Sequence, residues 1–110
     1  MSLVRVVCYV KPHRIEAVKS AIAPLGAGGM TVTDVRGTGN NASVGGSATL
    51  PGLMTIPIRS KIEVVCEVEL QEAIVSAILE TAQTGEPDDG KIFIEPVAET
   101  IRVRTGERGV

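Results

Sequence analysis

The alternation of apolar and polar residues along the chain predicts four β-strands. The predicted strands are rich in β-branched side chains, and the second alternates with a period of two, as expected when successive side chains point to opposite faces. Pro12 ends the first strand, because proline lacks the backbone N–H that a strand needs. The four strands are predicted over residues 4–10, 30–36, 59–68 and 91–97.

Two further segments repeat apolar residues at helical spacing. Steps of three and four residues place such side chains on one stripe of an α-helix. The first stripe predicts a helix over residues 13–25, ended by the glycines that follow, and consists of Ile15, Val18, Ile22 and Leu25. The second predicts a helix over residues 70–81 and consists of Leu70, Ile74, Ala77, Ile78 and Thr81.

This order of elements, β-α-β-β-α-β, is typical of the split βαβ or ferredoxin-like fold. Because crossover connections are right-handed, the pattern predicts an α+β domain with a four-stranded antiparallel sheet and both helices on one face. The other sheet face is then left bare, and a bare apolar face favours self-association. The candidates for that face are Tyr9, Thr31, Thr33, Ile62, Val64, Cys66 and Phe93.

Three segments between and after these elements are predicted to be irregular. Residues 37–57 carry no charge and are punctuated by glycine and proline, which indicates a loop and favours disorder. A loop of this length in a compact domain is usually functional or mobile. Residues 84–90 are predicted to form a second loop, and residues 99–104 a short extended tail.

Composition narrows the classes of function. The chain has 110 residues, which suits one domain over residues 1–110. Aromatic residues make up 2% and the formal net charge is −2. The chain therefore offers neither the stacking platform of a single-strand binder nor the basic surface of a duplex-DNA binder, and we expect no nucleic-acid partner.

The cysteines and the hydropathy pattern bear on cellular context. Cys8 and Cys66 lie in apolar runs, where buried thiols behave as small hydrophobic residues. No basic-then-apolar leader opens the sequence, and no apolar run reaches the length of a membrane span, so we expect a cytoplasmic protein without membrane insertion. We expect no metal site either, because His13 and two remote cysteines do not form a ligand cluster.

The clearest candidate chemistry is phosphate binding by the loop before the fourth strand and by the tail. Glycines in this loop let backbone N–H groups face an anion, and Lys91 adds a cation. Arg102 and Arg104 are two apart in a predicted extended segment, so they would project to the same side and act as one clamp. The alternative is a solvated edge on which these cations pair with Asp88, Asp89, Glu95 and Glu99.

Taken together, these motifs resemble those of the PII signal-transduction family. The most specific are Thr84-Gly85, the turn Asp89-Gly90-Lys91-Ile92-Phe93 and the ending Arg102-Val103-Arg104-Thr105-Gly106-Glu107. Lys11-Pro12, residues 29–37 and residues 61–65 are also similar to their counterparts. The likeness covers nearly the whole chain apart from the central loop, and it favours phosphate binding over the solvated edge.

The resemblance implies a homotrimer whose sheets face inward and which binds ADP, ATP or AMP in three clefts between subunits, with no catalytic residue and no cofactor. It implies nucleotide contacts on the strands and the long loop at Thr31, Gly37, Thr38, Gly39, Asn41, Arg59, Glu63 and Val65. The phosphate loop, residues 84–91, would add Gly85, Asp88, Asp89, Gly90 and Lys91. The tail of the neighbouring chain, residues 99–110, would add Arg102 and Arg104.

The sequence departs from the family pattern at several of these positions. Asp88 stands where the family has glycine, and its charge would disfavour the most highly charged nucleotide, so that ADP or AMP competes well with ATP. Asn41 stands where a glutamine helps to hold Mg-ATP and 2-oxoglutarate. The family's lysine at the base of the loop is matched by Arg59, or by Lys61 if the register shifts by one or two residues. The family's partner-binding T-loop corresponds to about residues 38–58 and contains no tyrosine here, which excludes uridylylation at the familiar position.

The leading hypothesis is a non-enzymatic adenine-nucleotide sensor that switches an unidentified partner, a transporter or an enzyme, through its T-loop. Some PII-like relatives accompany inorganic-carbon uptake or carboxysome genes, so bicarbonate is a candidate second input by analogy. One alternative is a nitrogen-regulatory protein that senses ATP or ADP and 2-oxoglutarate. An alternative of another class is a weak ATPase or phosphatase that uses Lys91, Arg102 and Arg104, although no general base is evident.

Overall fold

The computed structural model describes residues 2–37 and 56–109, which form four strands and two helices in the predicted order. The strands are β1 (Leu3–Val10), β2 (Met30–Arg36), β3 (Ile58–Glu67) and β4 (Gly90–Val97). The helices are α1 (Ile15–Ile22) and α2 (Gln71–Ala82). Short 3₁₀ turns flank them at Pro12–Arg14, Ala23–Leu25 and Val68–Leu70.

The helix ends follow from local chemistry. Pro12 stands in the turn that leads into α1, where its fixed φ suits the first turn and its missing N–H costs nothing. Gly26 ends the turn after α1 in the left-handed region, with φ 82°. At the end of α2, the Arg14 Nε donates a hydrogen bond of 2.8 Å to the carbonyl of Thr81. This contact satisfies a polar group of the last turn of α2 and ties the two helices together.

The strands form one sheet in the order β2-β3-β1-β4, and every neighbouring pair is antiparallel. Strand β1 is central: Val6 lies opposite Val64 of β3 and Ile94 of β4. Helices α1 and α2 pack against each other over one sheet face. This topology confirms the predicted ferredoxin-like fold.

The hydrophobic core lies between the two helices and the sheet face that carries the even-numbered residues of β1 and β3. Both predicted helical stripes contribute to it. Burial of each valine or isoleucine side chain of this core stabilises the fold by about 1.5–3 kcal/mol. The apolar residues with relative exposure of 2% or less are Val6, Cys8, Val10, Val18, Ile22, Ile62, Val64, Cys66, Ile74 and Ile78.

The prediction for the bare sheet face is correct for some residues and wrong for others. Tyr9, Thr31, Thr33 and Phe93 lie on it, as expected from their register. The prediction is wrong for three residues. These are even-numbered positions of β3, which face the helices, and they are buried in the core: Ile62, Val64 and Cys66. Their odd-numbered neighbours in β3 face the other way, so the bare face is more polar than predicted.

The prediction of an extended tail over residues 99–104 is also wrong. Residues 102–106 form a turn, in which the Arg102 N–H donates to the Glu107 carbonyl at 2.8 Å and the Gly106 N–H donates to the Arg102 carbonyl at 2.7 Å. Gly106 supplies the positive φ of 75° that the turn requires. Arg102 and Arg104 therefore do not lie on one side of an extended strand, and the alternation argument for a clamp fails.

Candidate functional site

The loop between α2 and β4 is organised around the carboxylate of Asp89. This carboxylate accepts hydrogen bonds from the backbone N–H groups of Thr84 at 2.7 Å and Gly85 at 2.9 Å, and a further one from the Thr84 hydroxyl. Lys11, at the end of β1, adds an ion pair with an N–O distance of 3.1 Å. The Asp89 carboxylate thus holds the loop closed, and the N–H of Gly85 donates to it.

The same contacts set the protonation state of Asp89. The hydroxyl of Thr84 has the largest effect, and with the backbone N–H groups and Lys11 it holds the pKa of Asp89 well below its usual range. Partial burial acts in the opposite direction and is outweighed. Asp89 is therefore ionised at neutral pH, which maintains the closed form of the loop.

The neighbouring residue, Asp88, is paired with a different cation. Its carboxylate accepts a hydrogen bond from the guanidinium of Arg59, near the start of β3. The two side chains are only 12% and 11% exposed. The charge of Asp88 is therefore compensated within the chain, and the ion pair joins the phosphate loop to the strand that follows the long loop.

Gly90 and Lys91 begin strand β4. A Cβ atom at Gly90 would lie 1.9 Å from the carbonyl oxygen of Tyr9, and the φ of Gly90 is 128°, so only glycine allows β4 to approach β1 this closely. Lys91 lies opposite Tyr9 on the bare face. It is exposed, and it takes part in none of the ion pairs within residues 2–37 and 56–109.

The sheet register brings two other predicted site residues together. Thr31 of β2 lies directly opposite Glu63 of β3, and Lys61 forms an ion pair with Glu63 at 3.0 Å. The hydrogen bond from Lys61 to Glu63 raises the pKa of Lys61. The predicted site residue Val65 lies on the same face, opposite Arg5 of β1.

An open depression of about 430 Å³ covers this part of the bare face. Tyr9 and Phe93 are among its lining residues, and their rings meet edge to face with the centroids 6.1 Å apart. Its rim is charged: Arg5 pairs with Glu95 at 3.1 Å, and the Lys61 Nζ lies 5.9 Å from the centroid of Tyr9. The face thus combines an aromatic centre with paired charges, and a partner surface would have to satisfy both.

The remaining predicted residues lie apart from this cluster or outside the described residues. Gly37 directly follows β2, and its N–H donates to the carbonyl of Pro57 at 3.0 Å, which holds the two ends of the long loop together. In the described part of the chain, no hydrogen bond or ion pair joins Arg102 or Arg104 to the phosphate loop. The predicted residues Thr38, Gly39 and Asn41, and most of the T-loop, lie outside the described residues.

Sequence reasoning missed two residues that build the loop, Lys11 and Thr84. Both contact Asp89, and neither was predicted as a site residue. A signal was present in Thr84, which precedes Asp89 by five residues in a loop that contains a glycine, because both hydroxyl and carboxylate side chains form local hydrogen bonds in turns. Lys11 gave no such local signal, since its contact depends on the register between β1 and β4.

Two negative findings apply to residues 2–37 and 56–109. No group of three or more His, Cys, Asp or Glu side chains within them could hold a metal ion. No helix in this part of the chain is long and apolar enough to cross a membrane.

Comparison with known proteins gives consistent matches over most of the chain. The family model described as "Nitrogen regulatory protein P-II" matches residues 1–107. The P-II homolog of Arabidopsis thaliana is 43% identical over 110 residues, covering 96% of this chain and 55% of the plant protein. P-II 2 of Methanothermobacter thermautotrophicus is 40% identical over 108 residues, covering 94% of this chain and 91% of that protein.

The chain thus spans about half the length of the plant relative and nine-tenths of the archaeal one. Among solved structures, the crystal structure of Arabidopsis thaliana PII bound to citrate superimposes with a TM-score of 0.77 at 39% sequence identity. That match covers 97% of this chain and 85% of the other. Sequence and fold therefore point to the same group of regulatory proteins.

Proposed function

Because this chain belongs to the P-II family of nitrogen regulatory proteins, we propose that it is a regulatory sensor of adenine nucleotides. In this proposal the protein is a non-enzymatic homotrimer that binds ADP, ATP or AMP in clefts between subunits. The nucleotide acts at the root of the T-loop, about residues 38–58, and so changes how this loop fits a partner protein.

The main support for the proposal is that two of the three cations around the phosphate loop are paired with carboxylates of the loop and the third is not. Lys11 is engaged by Asp89 and Arg59 by Asp88. Lys91 follows Asp89 by two residues, is exposed, and has no ion-pair partner within the described residues. A phosphate group would provide that partner through a charge-assisted hydrogen bond, next to a loop whose shape Asp89 has already set.

The second half of the phosphate site would come from another subunit. Arg102 and Arg104 stand in a turn, and no contact joins them to the phosphate loop of their own chain within the described residues. Both are exposed, and guanidinium groups suit phosphate oxygens through paired N–H donors. The bare sheet face, with its aromatic centre, is the surface through which we propose that the subunits associate.

A small anion is proposed as a second input at the root of the T-loop. Bicarbonate is the candidate by analogy with PII-like relatives that accompany inorganic-carbon genes, and 2-oxoglutarate is the alternative. With either anion, the partner protein is proposed to be a transporter or an enzyme that responds to the conformation of the T-loop.

Calorimetric titration with ATP, ADP and AMP tests the proposal. We expect the wild type to bind at least one nucleotide, and Lys91→Ala and the double variant Arg102→Ala/Arg104→Ala to lose about tenfold or more in affinity, the value of one charge-assisted hydrogen bond. Lys19→Ala is the matched control, because Lys19 pairs with Glu16 on helix α1. Absence of nucleotide binding by the wild type would sink the proposal.

Two further measurements separate the alternatives. Light scattering should give the mass of a trimer for the wild type and for the arginine variants. Titrations repeated with bicarbonate and with 2-oxoglutarate identify the second input. Steady phosphate release from ATP at enzyme-like rates would favour the ATPase alternative.

A further inference from the structure

The ion pair between Arg59 and Asp88 is the most shielded of those within the described residues. Both side chains are nearly buried, at 11% and 12% exposure. In each of the other pairs, both side chains are more exposed than these. The two residues are 29 positions apart, so the pair is a tertiary contact. Shielding from water makes such a contact stronger and makes an unpaired partner costly.

Asp88 also has an unfavourable backbone conformation. Its φ is 70°, and within the described residues it is the only non-glycine residue with a positive φ. Aspartate tolerates this region better than most residues, yet glycine adopts it without steric cost. Strain of this kind is found where a side chain has a functional task, and here the side chain holds Arg59.

The charges that this chain places around the loop cancel. Lys11, Arg59 and Lys91 stand against Asp88 and Asp89, and Glu86 lies exposed in the loop. Six charged groups thus sum to zero. This chain's own side of the site, without the Arg102 and Arg104 that the neighbouring subunit is proposed to add, therefore attracts each additional negative charge on a ligand only weakly. By itself it gives a ligand with three phosphate groups little advantage over a ligand with one.

We propose that Asp88 determines nucleotide specificity. By holding Arg59 in an ion pair, it keeps the guanidinium from binding the additional phosphate groups of ATP and so reduces the preference for ATP over AMP. The inference rests on the proposed nucleotide function and deepens it. While Asp88 holds Arg59, only Lys91 among the three cations is without an ion-pair partner within the described residues. Without the Asp88 carboxylate, the guanidinium of Arg59 becomes available to an extended phosphate chain, and one negative charge leaves the loop.

The test compares the ratio of the AMP and ATP dissociation constants in a set of variants. Asp88→Asn keeps the size of the side chain and tolerates the positive φ, and Asp88→Gly removes the strain as well. We expect either variant to increase the preference for ATP over AMP by about tenfold or more, the value of one charge-assisted hydrogen bond. Urea unfolding checks that both variants are folded.

The role of Arg59 is tested by the same substitution in an Arg59→Ala background. There, Asp88→Asn should change the ratio by less than about threefold, since only the repulsion by a partly screened charge is removed. Glu86→Gln is the matched control, because it removes an acidic charge from the same loop without freeing Arg59, and it should also stay below about threefold.

The outcomes separate the two proposals. If the wild type binds no nucleotide, the proposed function and this inference both fail. If the wild type binds nucleotide and the ratio is unchanged in both Asp88 variants, the specificity role alone is wrong. An equally large increase with and without Arg59 would overturn it too, because simple repulsion by Asp88 would then account for the whole effect.

Discussion

Replacing Asp89 with alanine tests whether this carboxylate holds the phosphate loop closed. In the structure it accepts hydrogen bonds from the backbone N–H groups of Thr84 and Gly85 and pairs with Lys11. Alanine removes every acceptor atom at once. The loop should then open locally, while the core between the helices and the sheet stays folded.

The size of the effect follows from the two backbone hydrogen bonds. Both donors are exposed, so water screens the carboxylate and replaces the lost acceptor. The net value of each bond is therefore about 0.5–1.5 kcal/mol, below the value of about 1.5–3 kcal/mol for a shielded bond to a charged group. Together they stabilise the closed loop by about 1–3 kcal/mol, which corresponds to about a 5- to 150-fold change in the opening equilibrium. We assign no additional value to the Lys11 pair, because partly exposed ion pairs contribute about 0–1 kcal/mol.

Amide hydrogen exchange measured by NMR reports this equilibrium directly. The amides of Thr84 and Gly85 should exchange about 5- to 150-fold faster in Asp89→Ala, while those of central strand β1 remain unchanged. Glu86→Gln is the control, since it alters a neighbouring acid whose side chain takes part in none of the hydrogen bonds described for this loop. Equal exchange in the wild type and in Asp89→Ala would refute the view that this carboxylate closes the loop.

The same contact makes a pH prediction. The folded pKa of Asp89 is lowered, so its contribution to stability is fully present above the unfolded pKa of about 4 and is lost as the pH falls through the folded pKa. Protection of the loop amides should therefore be the same at about pH 5 and pH 7. A loss of protection that begins near pH 6 would show that another group controls the loop.

Three further predictions concern packing. Ile78→Ala should lower the free energy of urea unfolding by about 2–5 kcal/mol, whereas Leu79→Ala, at a position 49% exposed, should cost less than about 1 kcal/mol; equal costs would contradict the assigned core. Gly90→Ala should destabilise more than Gly28→Ala, because both have positive φ but only Gly90 lies against backbone; comparable unfolding midpoints would argue against the close approach of β4 to β1. Burial raises the pKa of Cys8 to about 12, so iodoacetamide should modify it only after unfolding, and mass spectrometry showing rapid labelling of the native protein would contradict its burial.

Much of the fold was predictable because local patterns and tertiary packing agree. The stripe with Val18 and Ile22 is buried as its spacing requires, and Gly26 ends the segment in the left-handed conformation. The buried face of β3 was predicted wrongly because apolar residues occur there at both even and odd positions. Lys61 and Glu63 alternate with buried neighbours, and this polar alternation is the signal that indicates the correct face.

The site was less predictable, because its key contacts join distant parts of the chain. The Arg59–Asp88 pair depends on how the loop before β4 lies against β3, which no local pattern encodes. The tail was predicted as extended, yet Gly106 adopts a positive φ and turns the chain. A glycine two residues after Arg104 was the available signal for that turn.

The edge-to-face pair of Tyr9 and Phe93 makes the bare sheet face optically distinct. The chain contains one tyrosine, one phenylalanine and no tryptophan, so all of its intrinsic fluorescence above the phenylalanine band comes from the single phenol on that face. Any molecule that covers this face changes the surroundings of its only tyrosine. The emission of unlabelled protein, followed on dilution, thus reports occupancy of the sheet face without an added probe.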